Sequence, residues 1–435
     1  MTDAANDSIR IAPLQVAVRL AAAALPLVCW PDLPAPFSSP KRWLLCGTVA
    51  VLLPVLTWRV WRSPSRASTG ADVAPSPVAP GLQLVLAVWL ASFAGSALAA
   101  PDVSPEALLL GVVGPLWGLV VALAAMPVAA LSGAHVAGTA AMACIAISQW
   151  AGADPIGWLG WTPGVEGGAI RLRVYGTLGN PNFVAALAAI TIPLACARAI
   201  AQDGGFHRRL WAGVAVVVLA TGLVVTGSRA GALGLASGVA VFGMMSGHRR
   251  SRLLALGAVL VAALAMAGSG ARGLADTSDG RVYIWKTAWS HAWDRPWAGL
   301  GPGAFELHYP GWDRRAQAAG EAGSADLRFA GPQQAAHNDY LQSLLERGVP
   351  GLVAFLLAVA TPAMLWRRSR LLVPETRAAV AGAAGAIAAG ATVALFDFPF
   401  QRPAETAALF MALALAWQSA SLASVRLSPI GELSP

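Results

Sequence analysis

The sequence predicts an all-α integral membrane protein with about twelve transmembrane helices and one large helical loop, on three observations. Apolar residues make up 56 % of the 435 and charged residues 12 %, with a mean hydropathy of +0.60. A soluble globule of ordinary usage does not have that balance. Apolar runs of the roughly 20 residues needed to cross a bilayer core of about 30 Å recur along the chain. One polar, Trp-rich stretch, 271–348, interrupts them.

Taken in order, the expected spans are 11–30, 43–60, 80–100, 107–126, 134–151, 182–201, 209–226, 229–247, 252–270, 349–366, 377–396 and 403–421. Residues 1–270 thus hold helices one to nine, 271–348 the loop, and 349–435 helices ten to twelve with a cytoplasmic tail. Arg19 interrupts the first apolar run and no small-residue cleavage site follows, so that run reads as an uncleaved helix. Ser63 to Pro80 is rich in Ser, Pro and Ala and reads as a flexible linker.

Basic residues collect in alternate connections: Arg59, Arg62 and Arg66, then Arg198, Arg208 and Arg209, then Arg249, Arg250 and Arg252, then Arg367, Arg368, Arg370 and Arg377. Positive-inside bias places these clusters and both termini in the cytoplasm, and the large loop outside. The same clusters account for the net charge of +8. No basic face or nucleic-acid motif accompanies it, so no nucleic-acid partner is expected. Cys29, Cys46, Cys144 and Cys196 sit in or beside apolar runs without metal-ligand spacing and read as small hydrophobes.

The exceptions to the charge rule mark the candidate site. Lys41, Arg42, Arg171, Arg173, Arg229, Arg272, Arg281, Arg347 and Arg402 fall outside or at outer helix ends, where they bind an anion or meet phospholipid headgroups.

Within the loop, Trp285, Trp289 and Trp293 recur every four residues, which puts three indoles along one side of a short helix that Arg281 begins. Such a stripe can stack on sugars, pack the helix on its neighbours or anchor it at the headgroups. Gly299 to Gly303 reads as a bend, since no Lys follows to make a phosphate loop. From Gln333 the pattern is helical, ending at Gly348 and Pro350, and it places His337 in the early turns with a neutral imidazole favoured by the positive helix end. Asp276 and Asp279 do not form an Asp-x-Asp nest, so no metal ligand set and no cofactor are expected. Asp397 stands before Pro399, where it can orient Arg402 or another arginine.

Four stretches in this order resemble the O-antigen ligase and O-antigen polymerase superfamily of bacterial inner-membrane glycosyltransferases. They are RVYGTLGNPNFVAALA at 173–188, TGSRAGALG at 226–234, GRVYIWKTAW through GLGPGAF at 280–305, and AHNDYLQSLLERGVPGL at 336–352. FDFPFQRP at 396–403 is similar to the segment before the last helix in many members. The resemblance implies a membrane-glycosyltransferase (GT-C-like) fold in the inner membrane, with a periplasmic active site roofed by the loop. It further implies an undecaprenyl-diphosphate-linked glycan donor, a lipid A-core or growing-glycan acceptor, contact with membrane lipids, and no metal. Its functional positions fall here on Arg173, Arg229, Arg281 and His337, with Lys41 as a further candidate.

Residue chemistry suits those positions independently. Glycan transfer from a diphosphate needs cations for the departing phosphates and a base for the attacking hydroxyl. Guanidinium groups are planar, always charged and bidentate toward phosphate, so Arg173, Arg229 and Arg281 suit the first need. The imidazole of His337 suits the second. Asn338 suits helix capping or orientation of its neighbour; Asp313 and Asp339 stand as rival bases. A ligase, a polymerase and a protein-glycosylating relative share these features, and a lipid-linked-sugar transporter is the reading from another class.

Overall fold

The computed structural model describes residues 2–62, 78–161, 174–201, 205–248, 257, 274–320 and 332–426. These residues form helices α1 (Thr2–Ala24), α2 (Ser39–Arg62), α3 (Pro80–Ala99), α4 (Pro105–Leu123), α5 (Val128–Trp150), α6 (Pro181–Ile200), α7 (Gly205–Thr226) and α8 (Arg229–Ser246). The loop contributes α9 (Leu274–Ala292) and α10 (Ala304–Ala318), and the chain returns through α11 (Asp339–Val359), α12 (Thr361–Ser369), α13 (Pro374–Val393) and α14 (Pro403–Arg426). Among the described residues there is no strand, and nine helices are long and apolar enough to cross a membrane. Every expected span except 252–270 overlaps one of these helices; 252–270 apart from Gly257, and most of the 63–80 linker, lie outside the described residues.

Local signals start the helices where the chain leaves a turn. Ser104 caps α4 by accepting from the Ala107 amide, Asn180 caps α6 through the Asn182 amide, and Ser228 caps α8 through the Gly231 amide. Proline opens α3, α4, α6 and α13, where its missing N–H is harmless.

The centre of the bundle is α6, α8, α13 and α14, packed through small residues. A Cβ on Gly238 would lie 2.7 Å from the Gly385 carbonyl, so α8 and α13 meet backbone to backbone. Small faces of this kind substitute for the hydrophobic drive that lipid cannot supply between helices. Helices α2 and α7 lie at the periphery and expose Trp43, Trp58, Trp61 and Trp211, as an aromatic belt at the headgroups requires.

Two expectations about the loop are corrected. Helix α9 starts at Leu274, so Arg281 lies two turns inside it rather than at its first residue. Helix α11 starts at Asp339 rather than Gln333, because Asn338 takes the cap position with its side chain accepting from the Leu341 amide at 3.0 Å. His337 therefore precedes the helix.

Helix α11 breaks at Gly348, whose φ of 65° and ψ of −164° are non-helical. The break frees the carbonyls of Leu345 and Glu346, which accept from the amides of Leu300 and Gly301 at 2.9 Å each. Ser96 also donates to the Glu346 carbonyl, at 2.7 Å. The 299–303 segment is thus a strap bound to the kink, and Gly299 is required there: a Cβ would sit 2.2 Å from the Glu346 carbonyl oxygen. A small core of Ile284, Ala288, Phe305, Tyr309, Leu344 and Leu345 joins α9, α10 and α11.

Candidate functional site

The segment before α11 is pinned on both sides. The Trp285 indole donates to the Ala336 carbonyl at 2.9 Å, and the Ala336 amide donates to the Gln342 side chain at 2.9 Å. Between these anchors and the Asn338 cap, His337 is held at φ 52°, in the left-handed region. A non-glycine residue there costs on the order of 1–3 kcal/mol and persists only where its surroundings impose it.

That conformation turns the imidazole toward the turn between α13 and α14. Its Nδ1 is 3.8 Å from Asp397 Oδ1, and its ring meets Phe398 edge-on at 5.1 Å. Asp397 is buried and accepts from Arg402 Nη1 at 3.3 Å. The Arg402 guanidinium stacks over Phe183 at 3.7 Å, and its Nε lies 3.0 Å from Glu405 Oε1 without hydrogen-bond alignment. Among the described residues, His337 Nδ1, Asp397 Oδ2, and Arg402 Nε and Nη2 have no hydrogen-bond partner. Polar atoms buried without partners are rare, and each calls for a partner such as an ordered water or a bound group.

Arg281 and Arg229 complete the cluster. The Arg281 guanidinium is close enough to Asp397, Arg229 and His337 for their charges to act on one another. Burial pulls Arg281 below the usual guanidinium value, with Asp397 opposing that pull and Arg229 adding to it. Arg229 is the first residue of α8, half-buried, beside the helix amides. Burial likewise lowers the His337 imidazole; Asp397 raises it, and Arg281 and Arg402 lower it. The net result favours neutral imidazole, the form that accepts a proton. The electrostatic character is cationic and partly desolvated, with an imidazole and a carboxylate at its centre.

Lys41 takes a different place. It is 1 % exposed, and its ammonium donates to the carbonyls of Val28, Phe37 and Thr177, the last at 2.7 Å. It clamps the 174–180 loop, which Gln149 also holds by accepting from the amides of Tyr175 at 3.0 Å and Gly176 at 2.7 Å. Arg173, together with Arg171 and Arg272, lies outside the described residues. Arg347 is buried between Ser92 and Ser343 with its guanidinium over Trp89 and Phe93, and Arg42 pairs with Glu106. Arg347 is a packing residue, and Arg42 forms a surface ion pair. Asp339 accepts from the Phe400 amide and from Gln401, and Asp313 accepts from Tyr283 and Gln317, so both rival bases are engaged in structure.

Sequence reasoning placed Asp397 with Arg402 and overlooked Glu405 and Phe183. The Arg402-x-x-Glu405 spacing was the available signal, an i,i+3 pair at a helix start. Of the Trp stripe, Trp285 packs inward, while Trp289 and Trp293 are exposed with ring centroids 5.5 Å apart.

Residues 214–356 match the family model described as O-antigen ligase. The matched stretch contains Arg229, Arg281, His337 and Asn338. Among curated proteins no match is found.

Proposed function

We propose that this chain, a member of the O-antigen ligase family, transfers a glycan from undecaprenyl diphosphate to a sugar hydroxyl of lipid A-core. The observation that carries this reading is the convergence of His337, in its left-handed backbone beside Asp397, with Arg281 and Arg229. The wider proposal is an inner-membrane protein of about twelve spans and membrane-glycosyltransferase type, with the 271–348 loop and the site on the periplasmic face.

In the proposed step the acceptor oxygen attacks the anomeric carbon from the side opposite the diphosphate. The new carbon–oxygen bond forms as the bond to phosphate breaks, and configuration inverts. The departing diphosphate takes the electron pair and is met by Arg281 and Arg229, with Arg173 as a further donor from the 174–180 side. The hydroxyl proton passes to neutral His337, and Asp397 stabilises the imidazolium that results. Asn338 orients His337 through the helix cap. Fixed guanidinium charge is all that this scheme asks of the phosphate side, so it runs without a metal. Lys41 belongs to the donor side through the loop it clamps.

A deletion strain examined by lipopolysaccharide gel tests the reading. Lipid A-core without O-antigen, with long glycan retained on the lipid carrier, is the expected result. Core bearing a single repeat unit would instead assign the chain to polymerisation, and an unchanged gel would exclude both. Purified His337→Ala protein is expected to insert normally and to lose transfer.

A further inference from the structure

Four side chains form a polar chain beside His337: Asp339, Gln342 and Glu346 on α11, and Gln401 in the turn that carries Asp397. Gln342 stands at its centre and is 3 % exposed. Its amide oxygen accepts from the Ala336 N–H at 2.9 Å, and its amide nitrogen donates to Glu346 Oε1 and Gln401 Oε1 at 2.8 Å each. Gln401 Nε2 donates to Asp339 Oδ1 at 2.9 Å, and Asp339 Oδ2 accepts from the Phe400 amide at 3.0 Å. Glu346 is tied to the strap, since its carbonyl accepts from the Gly301 amide.

These partners fix the orientation of the Gln342 amide and require that residue type. A reversed amide would set its NH2 against the Ala336 N–H and its oxygen against two oxygens. Methionine would leave all three partners unsatisfied. Glutamate would keep the acceptor for Ala336 and turn an oxygen onto Glu346 and Gln401.

The two ends of the chain are the two halves of the site. Ala336 precedes His337, and its amide is one anchor of the segment that keeps His337 at φ 52°. Gln401 lies between Asp397 and Arg402, whose side chains pair. Nδ1 of His337 and Oδ1 of Asp397 stand 3.8 Å apart, and a hydrogen bond between them needs about 3 Å. Releasing Ala336 lets the left-handed residue relax and carries the imidazole with it, because such backbone persists only where its surroundings impose it. Releasing Gln401 loosens the turn that presents the carboxylate.

We propose that Gln342 is a positioning residue: one buried amide holds both the backbone before His337 and the turn behind Asp397, and so sets the approach of imidazole to carboxylate. Its effect on rate rests on the proposed function, whereas its effect on His337 is measurable in the protein without substrate.

The test uses the full-length protein in nanodiscs with 15N-labelled histidine, the His337 signal being identified by its absence in His337→Ala. Asp397→Asn is expected to lower the His337 pKa in the parent protein, because Asp397 raises it. In Gln342→Met the same substitution should move it by less than about half as much, since the imidazole is no longer held against the carboxylate. Transfer by Gln342→Met should fall about tenfold to a hundredfold in kcat. The donor KM should stay within about twofold of the parent value, which separates positioning from loss of a diphosphate ligand. Gln342→Glu should lose as much, and adding Glu346→Gln, which returns a donor to the pair, should recover part of it. An Asp397→Asn shift that is undiminished in Gln342→Met, or absent from the parent, would overturn the proposal, as would an unchanged kcat. Should Gln342→Met fail to fold, Gln401→Met cuts the link on the Asp397 side alone, and the same outcomes decide. A parent protein that transfers no glycan would overturn the proposed function, and the His337 titration would still decide the role of Gln342.

Discussion

Nδ1 of His337 lies 3.8 Å from Oδ1 of Asp397, with the imidazole edge-on to Phe398 and Arg402 on the far side of the carboxylate. The gap is too long for a hydrogen bond, and in the proposed reaction it would tighten as substrate binds. Arg402 occupies one carboxylate oxygen while Asp397 Oδ2 is unpartnered among the described residues, so the carboxylate retains capacity for a protonated imidazole.

The first prediction concerns pH. Burial lowers the His337 imidazole, Asp397 raises it, and Arg281 and Arg402 lower it. Transfer that needs neutral imidazole is present above this pKa and lost as pH falls through it. The acid limb of kcat/KM is therefore expected below the range of a free imidazole. Asp397→Asn should move the limb to lower pH and reduce the rate, whereas Arg281→Gln should move it to higher pH. His337→Ala should cost about 10²–10⁴ in rate. An unmoved limb in Asp397→Asn would remove His337 as the titrating base.

Arg229 tests the phosphate side. Arg229→Ala is expected to lose about 1.5–3 kcal/mol of transition-state stabilisation, one to two orders of magnitude in kcat/KM. Arg229→Lys should recover part of it, because charge is kept and the bidentate geometry is lost. Steady-state kinetics on lipid-linked donor measures both.

Lys41 separates a clamp from a ligand. Lys41→Met leaves three carbonyls without their donor, and one buried polar group left unsatisfied costs about 1–3 kcal/mol. The thermal midpoint is expected to fall and Lys41→Arg to fail as a rescue, since the larger guanidinium does not fit the three-carbonyl cage. A raised donor KM with an unchanged midpoint would reassign Lys41 to direct donor contact.

Arg402 and Glu405 form the buried support beneath Asp397, and both are nearly inaccessible. Arg402→Met leaves two buried carboxylates without their cation, and removing one partner of such a pair costs about 3–5 kcal/mol. Adding Glu405→Gln should restore part of the loss. A double-mutant cycle on unfolding in detergent measures this coupling, and strict additivity would show that the two side chains do not act together.

Much of this protein was legible in its sequence because the signals are local. Runs of apolar residues announced the helices, Asn338 suits a cap, and Gly348 with Pro350, expected to end the segment, stands at the break within α11. His337 and Arg281 stand out in the sequence as candidate site residues, and their local settings differ from the expectation. Periodicity carried the last loop helix back to Gln333, past the cap that stops it at Asp339, and it missed the turns of α9 before Arg281.

Sequence by itself thus determined the membrane class and the order of the helices, and it named the residues proposed to hold a diphosphate and accept a proton. Hydrophobic length, capping chemistry and side-chain charge are properties of a residue and its near neighbours. Tertiary structure alone decided what each charge does. Lys41 meets Thr177 across 136 positions, Arg347 meets Ser92 across 255, and both cations are spent on protein atoms. His337 meets Asp397 and the charges of Arg281 and Arg402. A cation at an outer helix end becomes a clamp or a site according to which partner the packing brings within about 4 Å, and Coulomb energy in a low dielectric depends on that distance and burial.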